Sequence, residues 1–288
     1  MKWILFYKTT SFLARILPRK IALFITERLA EGAYFVAFNK ARPIAMKNLS
    51  FALKGLKTEH EVRFMILEQF KNFAGFIYDF LLLPYLDEHE LGSMYEMVGF
   101  QKVREALKAG KGVIVVTGHL GNWELGASAL VQEKVPVTAV VMPHPTAIVT
   151  RFFDSTRLSR GVNVVPVDRA ARVGLRALRA NECLAILGDR DFTGTGTEID
   201  FLGARAVFPV GAMRLAAKAG AAVCPAFAIR SRNGKYKIYF EDTFTVGKLA
   251  DGSPDVKGAL DRWAGILGKY IRLFPTQWYL FEPAWPTK

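Results

Sequence analysis

From about residue 98 onward, short apolar runs alternate with stretches of helical periodicity, and this alternation limits the possible folds more than any other feature of the chain. The apolar runs lie at 112–117, 135–142, 162–167, 183–187, 222–229 and 236–240. The helical stretches lie at 121–133, 147–160, 170–180 and 210–219. Apolar strands separated by helices are typical of a parallel sheet buried on both faces. The pattern predicts an α/β fold, with a mainly parallel sheet flanked by helices on both faces.

The segments before and after this alternation are predicted to be helical. Thr58 and Glu61 form a capping-box signature, which begins a helix whose apolar residues recur at helical spacing until about Pro84. Its stripe of Phe residues is interpreted as core, with a role in lining a substrate site as the alternative. A last helix is predicted after Pro254, because proline is favoured at the start of a helix.

The chain is both basic and hydrophobic. Its 288 residues carry a formal charge of +13, and 51% of them are hydrophobic, which excludes intrinsic disorder. Cys183 and Cys224 are too few for a disulfide scaffold and lie in apolar runs, where buried thiols are expected. A basic protein attracts nucleic acid, anionic lipid or acidic proteins. The aromatic content of 12% favours a membrane surface over nucleic acid.

The positive charge is concentrated near the N-terminus, where residues 1–50 hold nine Lys and Arg against two Glu, a net charge of +7. The apolar stretch at 21–38 is long enough to span a membrane, but three charges interrupt it, which favours an interfacial helix. We therefore predict a basic, helical membrane-anchoring segment at 1–40, followed by the main domain at 41–288. An ordinary amphipathic helix packed on the domain is the alternative.

Among the four histidines, His119 has the context of a catalytic residue. It follows the predicted strand at 112–117, and open α/β sheets bind ligands at the carboxyl ends of their strands. Glu124 falls in the first turn of the next helix, where its carboxylate is expected to orient the imidazole. An imidazole held by a carboxylate is suited to act as a general base. The amides near Gly121 and Asn122 are predicted to bind an oxyanion.

Other kinds of catalytic centre are disfavoured. No pair of histidines has the spacing of a zinc site, and the two cysteines lie in separate predicted strands, so no metal or other cofactor is predicted. No Gly-x-Ser-x-Gly motif is present, and Ser128 falls inside a predicted helix. His119 is therefore predicted to activate a hydroxyl group that a substrate supplies.

Two blocks of sequence carry a family resemblance. Residues 117–124 read Thr-Gly-His-Leu-Gly-Asn-Trp-Glu, and residues 188–216 contain Asp-Arg-Asp, a Gly-rich loop, Phe-Leu-Gly, Pro-Val-Gly and Leu-Ala. They resemble the His-x4-Glu/Asp block and the later motifs of the bacterial lipid A biosynthesis (lauroyl/myristoyl) acyltransferases, within the lysophospholipid and glycerolipid acyltransferase group. Asn48 and the Phe-Pro-x-Gln-Trp motif at 274–278 extend the resemblance over roughly residues 40–280.

The departures from the family pattern concern the acceptor more than the reaction. Leu202 and Ala212 stand where the family has Phe and Pro, and residues 279–283 differ from its Trp and His-x-Arg segment. The Asp-Arg-Asp sequence at 189–191 also resembles the phosphatidylinositol mannoside acyltransferase branch.

The resemblance implies an O-acyltransferase on the cytoplasmic face of a bacterial inner membrane. It implies a thioester donor, on an acyl carrier protein or CoA, and an acceptor hydroxyl on a (phospho)glycolipid such as a lipid A precursor. Phosphatidylinositol mannoside or a lysophospholipid is the alternative acceptor. A noncatalytic protein that binds anionic lipid or nucleic acid is a more remote alternative. In the enzyme, His119 would take the hydroxyl proton and Glu124 would orient His119.

The second block supplies candidate substrate-binding residues. Asp189, Arg190 and Asp191 are assigned to this role, with Arg190 expected to bind a phosphate or the donor. The alternative for Arg190 is a surface ion pair with Asp189 or Asp191.

A row of arginines is a second candidate binding surface. Arg169 precedes a helix that carries Arg172, Arg176 and Arg179 on one face. That face is either ordinary solvated surface or a dock for an acidic carrier protein or an anionic headgroup.

Overall fold

The computed structural model describes residues 16–36 and 40–285. Residues 1–15, which hold the first part of the predicted anchor, lie outside the described residues, whereas helix α1, Arg19–Val36, lies within them. No helix in these two ranges combines the length and the apolar character needed to cross a membrane.

A seven-stranded sheet forms the centre of the protein. The described residues form nine strands: β1 Tyr95–Val98, β2 Val113–Thr117, β3 Val137–Val141, β4 Val162–Pro166, β5 Cys183–Leu187, β6 Thr197–Phe201, β7 Ala204–Phe208, β8 Ala222–Arg230 and β9 Tyr236–Phe240. The sheet order is β1-β9-β8-β2-β5-β3-β4. Strands β8, β2, β5, β3 and β4 are parallel, β9 is antiparallel to β8, and β1 is parallel to β9.

Ten α-helices are formed by the described residues: α1 Arg19–Val36, α2 Ala41–Ala52, α3 Glu59–Leu82, α4 Glu88–Ser93, α5 Gln101–Lys108, α6 Trp123–Gln132, α7 Ala147–Ser159, α8 Ala170–Arg179, α9 Gly211–Ala219 and α10 Val256–Leu273. The predicted capping box begins α3, since the Thr58 and Glu61 side chains bond to each other's backbone amides. The predicted last helix is α10, and Asp255 caps its first turn by accepting from the Gly258 amide.

Both faces of the sheet are covered by helices. The side chains of β2 alternate, so that Val113 and Val115 enter one core while Ile114 and Val116 enter the other. The first core also contains α4, α5, α6 and the C-terminal half of α3, and the second contains α2, α8, α9 and α10. The predicted α/β fold, with a mainly parallel sheet between helices, is confirmed.

The antiparallel hairpin formed by β6 and β7 was not predicted. It occupies the region that the sequence presents as a Gly-rich loop followed by Phe-Leu-Gly. Only every second residue of each strand is buried, so neither strand has the continuous apolar run that marks the parallel strands. Leu202 and Gly203 form the turn with φ of 53° and 94°, as a tight two-residue hairpin requires.

Helix α1 packs on α3 through one face and exposes the other. Arg19 donates to both carboxylate oxygens of Asp79, at 2.8 and 2.7 Å, and the Tyr236 hydroxyl donates to the same carboxylate at 2.7 Å. On the outer face Phe24 is 62% exposed and Leu29 is 69% exposed. The alternative prediction, an amphipathic helix packed on the domain, therefore describes the inner face of α1. The outer face of α1 is apolar and open to solvent.

Candidate active site

The pairing of β2 with β5 determines which residues meet at the carboxyl edge of the sheet. The two strands are parallel, and Thr117 at the end of β2 is paired with Leu187 at the end of β5. The Gly188 amide donates to the Thr117 carbonyl at 2.7 Å, which continues the pairing beyond the strands. His119 and Asp189 each lie two residues after the last residue of their strand, so this register brings them together.

His119 and Asp189 are joined by two hydrogen bonds. The His119 backbone N–H donates to Oδ2 of Asp189 at 2.8 Å, and the ring nitrogen Nδ1 lies 2.8 Å from Oδ1. The Asp189 side chain is 1% exposed, whereas the imidazole is 16% exposed. An ionised carboxylate can only accept, so Nδ1 carries a proton, and in the neutral imidazole Nε2 is then the unprotonated acceptor. Nothing in the described part of the chain hydrogen-bonds to Nε2, which leaves it available to a substrate.

The surroundings of Asp189 favour its ionised form. Burial by itself would raise the pKa of this carboxyl group, but the positive charge that His119 carries when protonated, together with its ring and backbone hydrogen bonds, lowers the pKa below the ordinary value. A buried carboxylate in this position fixes the orientation of the imidazole and stabilises the cation formed when Nε2 takes a proton. Asp189 therefore makes the contact that was predicted for Glu124.

Glu124 does not contact His119, so the prediction that it orients the imidazole directly is wrong. Its carboxylate accepts from Arg157 of α7, with Nη2 2.7 Å from Oε1 and Nε 3.0 Å from Oε2. The Trp123 indole donates to the same carboxylate at 3.2 Å. The first turn of α6 directs Glu124 toward α7, where the guanidinium satisfies its buried charge. Glu124 thus ties the start of α6 to α7 at the border of the site.

The turn at 119–122, called the catalytic turn below, uses its amides for structure. The Gly121 amide donates to the Gln277 carbonyl at 2.9 Å, and the Asn122 amide donates to the Ala228 carbonyl at 2.7 Å. Gly121 has a φ of +70°, and a Cβ there would lie 2.0 Å from the Ala228 carbonyl oxygen, so only glycine fits. The Asn122 side chain is fully buried as the N-cap of α6. The predicted oxyanion role of these two amides is therefore wrong, because both are already paired.

Arg190 follows Asp189 and lies at the edge of the site. Its guanidinium is ion-paired with Glu282 and lies 4.3 Å from the centroid of the Phe192 ring. The ion pair offered as the alternative for Arg190 is thus formed with the C-terminal segment rather than with either neighbouring aspartate.

Asp191 is turned into its own loop. It accepts from the backbone amides of Thr193 and Gly196, at 2.9 and 2.7 Å. Burial acts to raise the pKa of this carboxyl group, but the hydrogen bonds from its loop lower it. The structure therefore gives Asp191 a role in holding the loop between β5 and β6.

The predicted arginine row is exposed on α8, and the neighbouring helix α9 exposes two further basic side chains; we call the six residues together the α8–α9 basic face. Six basic side chains of this face are exposed: Arg169, Arg172, Arg176, Arg179, Arg214 and Lys218. Neither helix contains an acidic residue, and none of the six has an ion-pair partner among the residues that the structure describes. Helix α8 follows the carboxyl end of β4, so the face begins at the sheet edge that holds His119.

An apolar crevice lies between the sheet and α6. Small and apolar side chains line most of it, among them Val115, Ala185, Ala226, Leu130 and Trp123. Its volume is about 40 Å³, which leaves room for only a few water-sized groups. The Trp123 ring lies 5.3 Å from the His119 ring and 4.4 Å from the ring of Phe76 in α3. The buried part of the α3 Phe stripe is core, as predicted, and Trp123 connects that core to the site.

The other nucleophilic residues considered from the sequence are buried. Ser128 is buried in α6, and its hydroxyl donates to the Glu124 carbonyl at 2.9 Å. Cys183 and Cys224 are buried thiols, as predicted, and burial raises the pKa of both, to about 12 for Cys224. Within the described ranges, no three His, Cys, Asp or Glu side chains are grouped in a way that would hold a metal ion.

A protein-family model described as bacterial lipid A biosynthesis acyltransferase matches residues 1–287 of the chain. The match extends from the N-terminal helices to the C-terminal segment, and it includes both His119 and Asp189.

Individual proteins of known function are also similar to this chain. A phosphatidylinositol mannoside acyltransferase of Mycolicibacterium smegmatis is 27% identical over 226 residues, which cover 77% of this chain and 72% of that protein. One from Mycobacterium tuberculosis is 30% identical over 211 residues, or 70% of this chain and 64% of that protein. A lipid A biosynthesis acyltransferase of Haemophilus influenzae is 24% identical over 203 residues, or 69% and 63%. The chain thus matches somewhat less than two thirds of the last two proteins.

The lowered pKa of Asp189 predicts a specific acid dependence of stability. Because the folded state favours the ionised carboxylate, its contribution is complete above the unfolded-state pKa of about 3.9 and is lost as the pH falls through the lower folded value. The difference in free energy of unfolding between wild type and Asp189→Asn is therefore expected to shrink below about pH 4. Urea unfolding of both proteins from pH 6 to pH 3 measures it; a difference that stays constant with pH would contradict the assignment.

Proposed function

Because the chain belongs to the bacterial lipid A biosynthesis acyltransferase family, it is an enzyme that acylates lipid, and we propose that it moves a fatty acyl chain from a thioester to a hydroxyl of a phosphorylated glycolipid with His119 as the general base. The observation that carries this proposal is that Nδ1 of His119 is hydrogen-bonded to buried Asp189, while Nε2 has no hydrogen-bond partner among the residues that the structure describes.

The proposed reaction requires one base and no covalent intermediate on the enzyme. Nε2 of His119 takes the proton of the acceptor hydroxyl while the oxygen of that hydroxyl attacks the thioester carbonyl carbon. The C–S bond then breaks, and the thiolate leaving group receives the proton from the imidazolium. Asp189 stabilises that imidazolium between the two steps. Transfer without a covalent enzyme intermediate agrees with the burial of Cys183, Cys224 and Ser128, since a nucleophile must be accessible to the thioester.

Arg190 and the residues beside it supply a candidate phosphate site. A guanidinium is well suited to bind phosphate, and Arg190 lies one residue beyond the carboxylate that holds His119. In the proposed complex a phosphate of the acceptor or of the donor replaces Glu282 as the partner of Arg190. The proposed acceptor is a glycolipid of the lipid A precursor or phosphatidylinositol mannoside type, since the similar proteins carry both names. A lysophospholipid acceptor is the alternative.

Trp123 and the crevice beneath it are the proposed entrance for the acyl chain. Each methylene transferred from water to an apolar environment contributes about 0.8 kcal/mol, so an apolar crevice beside the base favours a hydrocarbon substrate. At about 40 Å³ the crevice cannot enclose a fatty chain, and binding therefore requires Trp123 or α6 to move outward.

Glu124 retains a place in the proposed site as a positioning residue. Its ion pair with Arg157 fixes the first turn of α6, which carries Trp123, against α7. Glu124 thus acts on the substrate entrance rather than on the imidazole.

The outer face of α1 is the proposed membrane contact of the segment at 1–40. Ile21, Phe24, Ile25 and Leu29 recur at helical spacing and are exposed, with Arg28 beside them. An apolar stripe with basic neighbours binds an anionic membrane surface. The enzyme is therefore proposed to lie peripherally on the cytoplasmic face of a bacterial inner membrane, where its lipid acceptor is found.

The α8–α9 basic face is the proposed dock for an acidic acyl carrier protein. Helix α8 has ten residues and is about 15 Å long, a length that suits an elongated acidic partner better than the separate phosphates of CoA. The proposed dock and the proposed membrane contact belong to different helices. The dock is on α8 and α9, whereas the membrane contact is on α1, which packs on α3. Acyl-CoA is the alternative donor.

Substitutions at the base and its partner test the proposed chemistry. His119→Ala is expected to lower kcat by about 10²–10⁴-fold, because general base catalysis is lost. Asp189→Asn is expected to lower kcat and to displace the acidic limb of the pH–rate profile, whereas Glu124→Gln leaves that limb in place. Ser128→Ala serves as a control and should retain wild-type kcat. Acyl transfer to a bacterial glycolipid extract, followed by mass spectrometry, measures these effects; an active His119→Ala enzyme with an intact fold would refute the base.

Two sets of charge changes separate the membrane contact from the donor dock. Phe24→Glu with Leu29→Glu is expected to abolish flotation with phosphatidylglycerol vesicles and to preserve carrier-protein binding. Arg172→Glu with Arg176→Glu is expected to leave flotation intact and to lower kcat/KM for acyl carrier protein at least about tenfold, with acyl-CoA unaffected. Equal losses with both donors would refute the dock, and unchanged flotation of the α1 variant would refute the membrane contact.

A further inference from the structure

The C-terminal segment that follows α10 lies directly against the catalytic turn. The Gln277 carbonyl accepts from the Gly121 amide at 2.9 Å, and the Tyr279 amide donates to the His119 carbonyl at 2.6 Å. The residues between these two bonds form a short antiparallel bridge. Residues 277–279, called the strap, therefore hold the turn that carries His119 through two backbone hydrogen bonds.

The side chain of Gln277 joins the strap to the end of β8. Its Nε2 donates to the Arg230 carbonyl at 2.8 Å, and the Arg230 amide donates to its Oε1 at 2.9 Å. A carboxamide is suited to this contact because it supplies one donor and one acceptor, as a backbone partner does. Strand β8 contacts the other side of the catalytic turn, where the Ala228 carbonyl accepts from Asn122. Gln277 thus links the strap to β8, and the catalytic turn lies between these two segments.

We propose that Gln277 is a positioning residue for acyl transfer, which locks the strap to β8 and thereby fixes the direction of Nε2 of His119. The proposal rests on the proposed role of His119 as the base. Asp189 holds the amide and the ring of His119, whereas the strap holds its carbonyl, so the backbone of the residue is fixed on both sides of its Cα. Without the Gln277 contact, the strap keeps its bonds to the turn but loses its direct hydrogen bonds to β8.

The strap has other anchors, which keep it folded when Gln277 is changed. Gln69 of α3 donates to the Trp278 carbonyl, and Asn72 donates to the Thr276 carbonyl at 3.2 Å. These contacts attach the strap, and the residue before it, to α3. Asn72 also accepts from the Arg230 guanidinium at 2.7 Å, so an indirect link to β8 through α3 remains when Gln277 is changed. A Gln277 variant is therefore expected to change the position of the strap rather than to release the C-terminus.

Asn48 supplies a matched control. Its Nδ2 donates to the carbonyls of Leu280 and Glu282, at 2.9 and 2.8 Å, and its Oδ1 accepts from the Ala284 amide at 3.1 Å. Asn48 is also a buried amide that binds only backbone groups, and it holds the same C-terminal segment beyond the strap. Its loss is expected to lower stability without acting on the catalytic turn.

The test compares Gln277→Met with Asn48→Leu in the full-length enzyme. Both are expected to lower Tm. Gln277→Met is expected to lower kcat roughly 10- to 100-fold, with the KM for the acyl donor within about threefold of wild type. It is also expected to accelerate hydrogen–deuterium exchange in peptides that cover 118–122. Asn48→Leu should keep kcat within about threefold and leave exchange at 118–122 unchanged.

The two readouts separate this proposal from the proposed chemistry. Equal losses of kcat in the two variants, a loss confined to KM, or unchanged exchange at 118–122 in Gln277→Met would overturn the positioning role. Faster exchange in Gln277→Met, together with a fully active His119→Ala enzyme, would support the coupling of strap and turn and refute the base. If Gln277→Met does not fold, Gln277→Glu, which keeps the acceptor for the Arg230 amide, is measured against the same expectations.

Discussion

The ionised carboxylate of Asp189 is the constraint on which the rest of the site depends. Burying an unpaired carboxylate costs several kcal/mol, and two hydrogen bonds from His119 offset that cost here. Because one of them comes from the backbone amide, the carboxylate determines where the chain runs after β2 as well as how the imidazole is oriented. The shared register of β2 and β5 places the two residues at the same height, so the sheet itself builds the pair.

The catalytic turn is held by hydrogen bonds and close packing on several sides. Strand β8 accepts from Asn122, the C-terminal strap pairs with His119 and Gly121, and Gly121 lies so close to Ala228 that no side chain fits. The amides of His119, Gly121 and Asn122 are all paired in this packing, and these bonds position the proposed base. Oxyanion stabilisation must therefore come from groups other than the amides of Gly121 and Asn122.

The sequence predicts those parts of the molecule that depend on local patterns. The parallel strands, the flanking helices, the α3 capping box and the position of His119 all follow from apolar runs and their spacing. The partner of His119 cannot be predicted from such patterns. Asp189 is 70 residues away in sequence and meets His119 only through the strand order, which no local pattern encodes. Glu124 was the nearest carboxylate in sequence, but its helical turn directs it to Arg157. The β6–β7 hairpin was missed because its strands alternate and lie beside glycines.

Asp189 is proposed to hold the proton at Nδ1 of His119 and to leave Nε2 as an unprotonated base. The ring ¹⁵N chemical shifts of His119 near neutral pH, assigned by comparison with His119→Ala, report directly which nitrogen carries the proton. The wild-type enzyme is predicted to show the Nδ1–H tautomer, and Asp189→Asn is predicted to shift the population toward Nε2–H. An Nε2–H tautomer in the wild-type enzyme would contradict the assignment of His119 as the base.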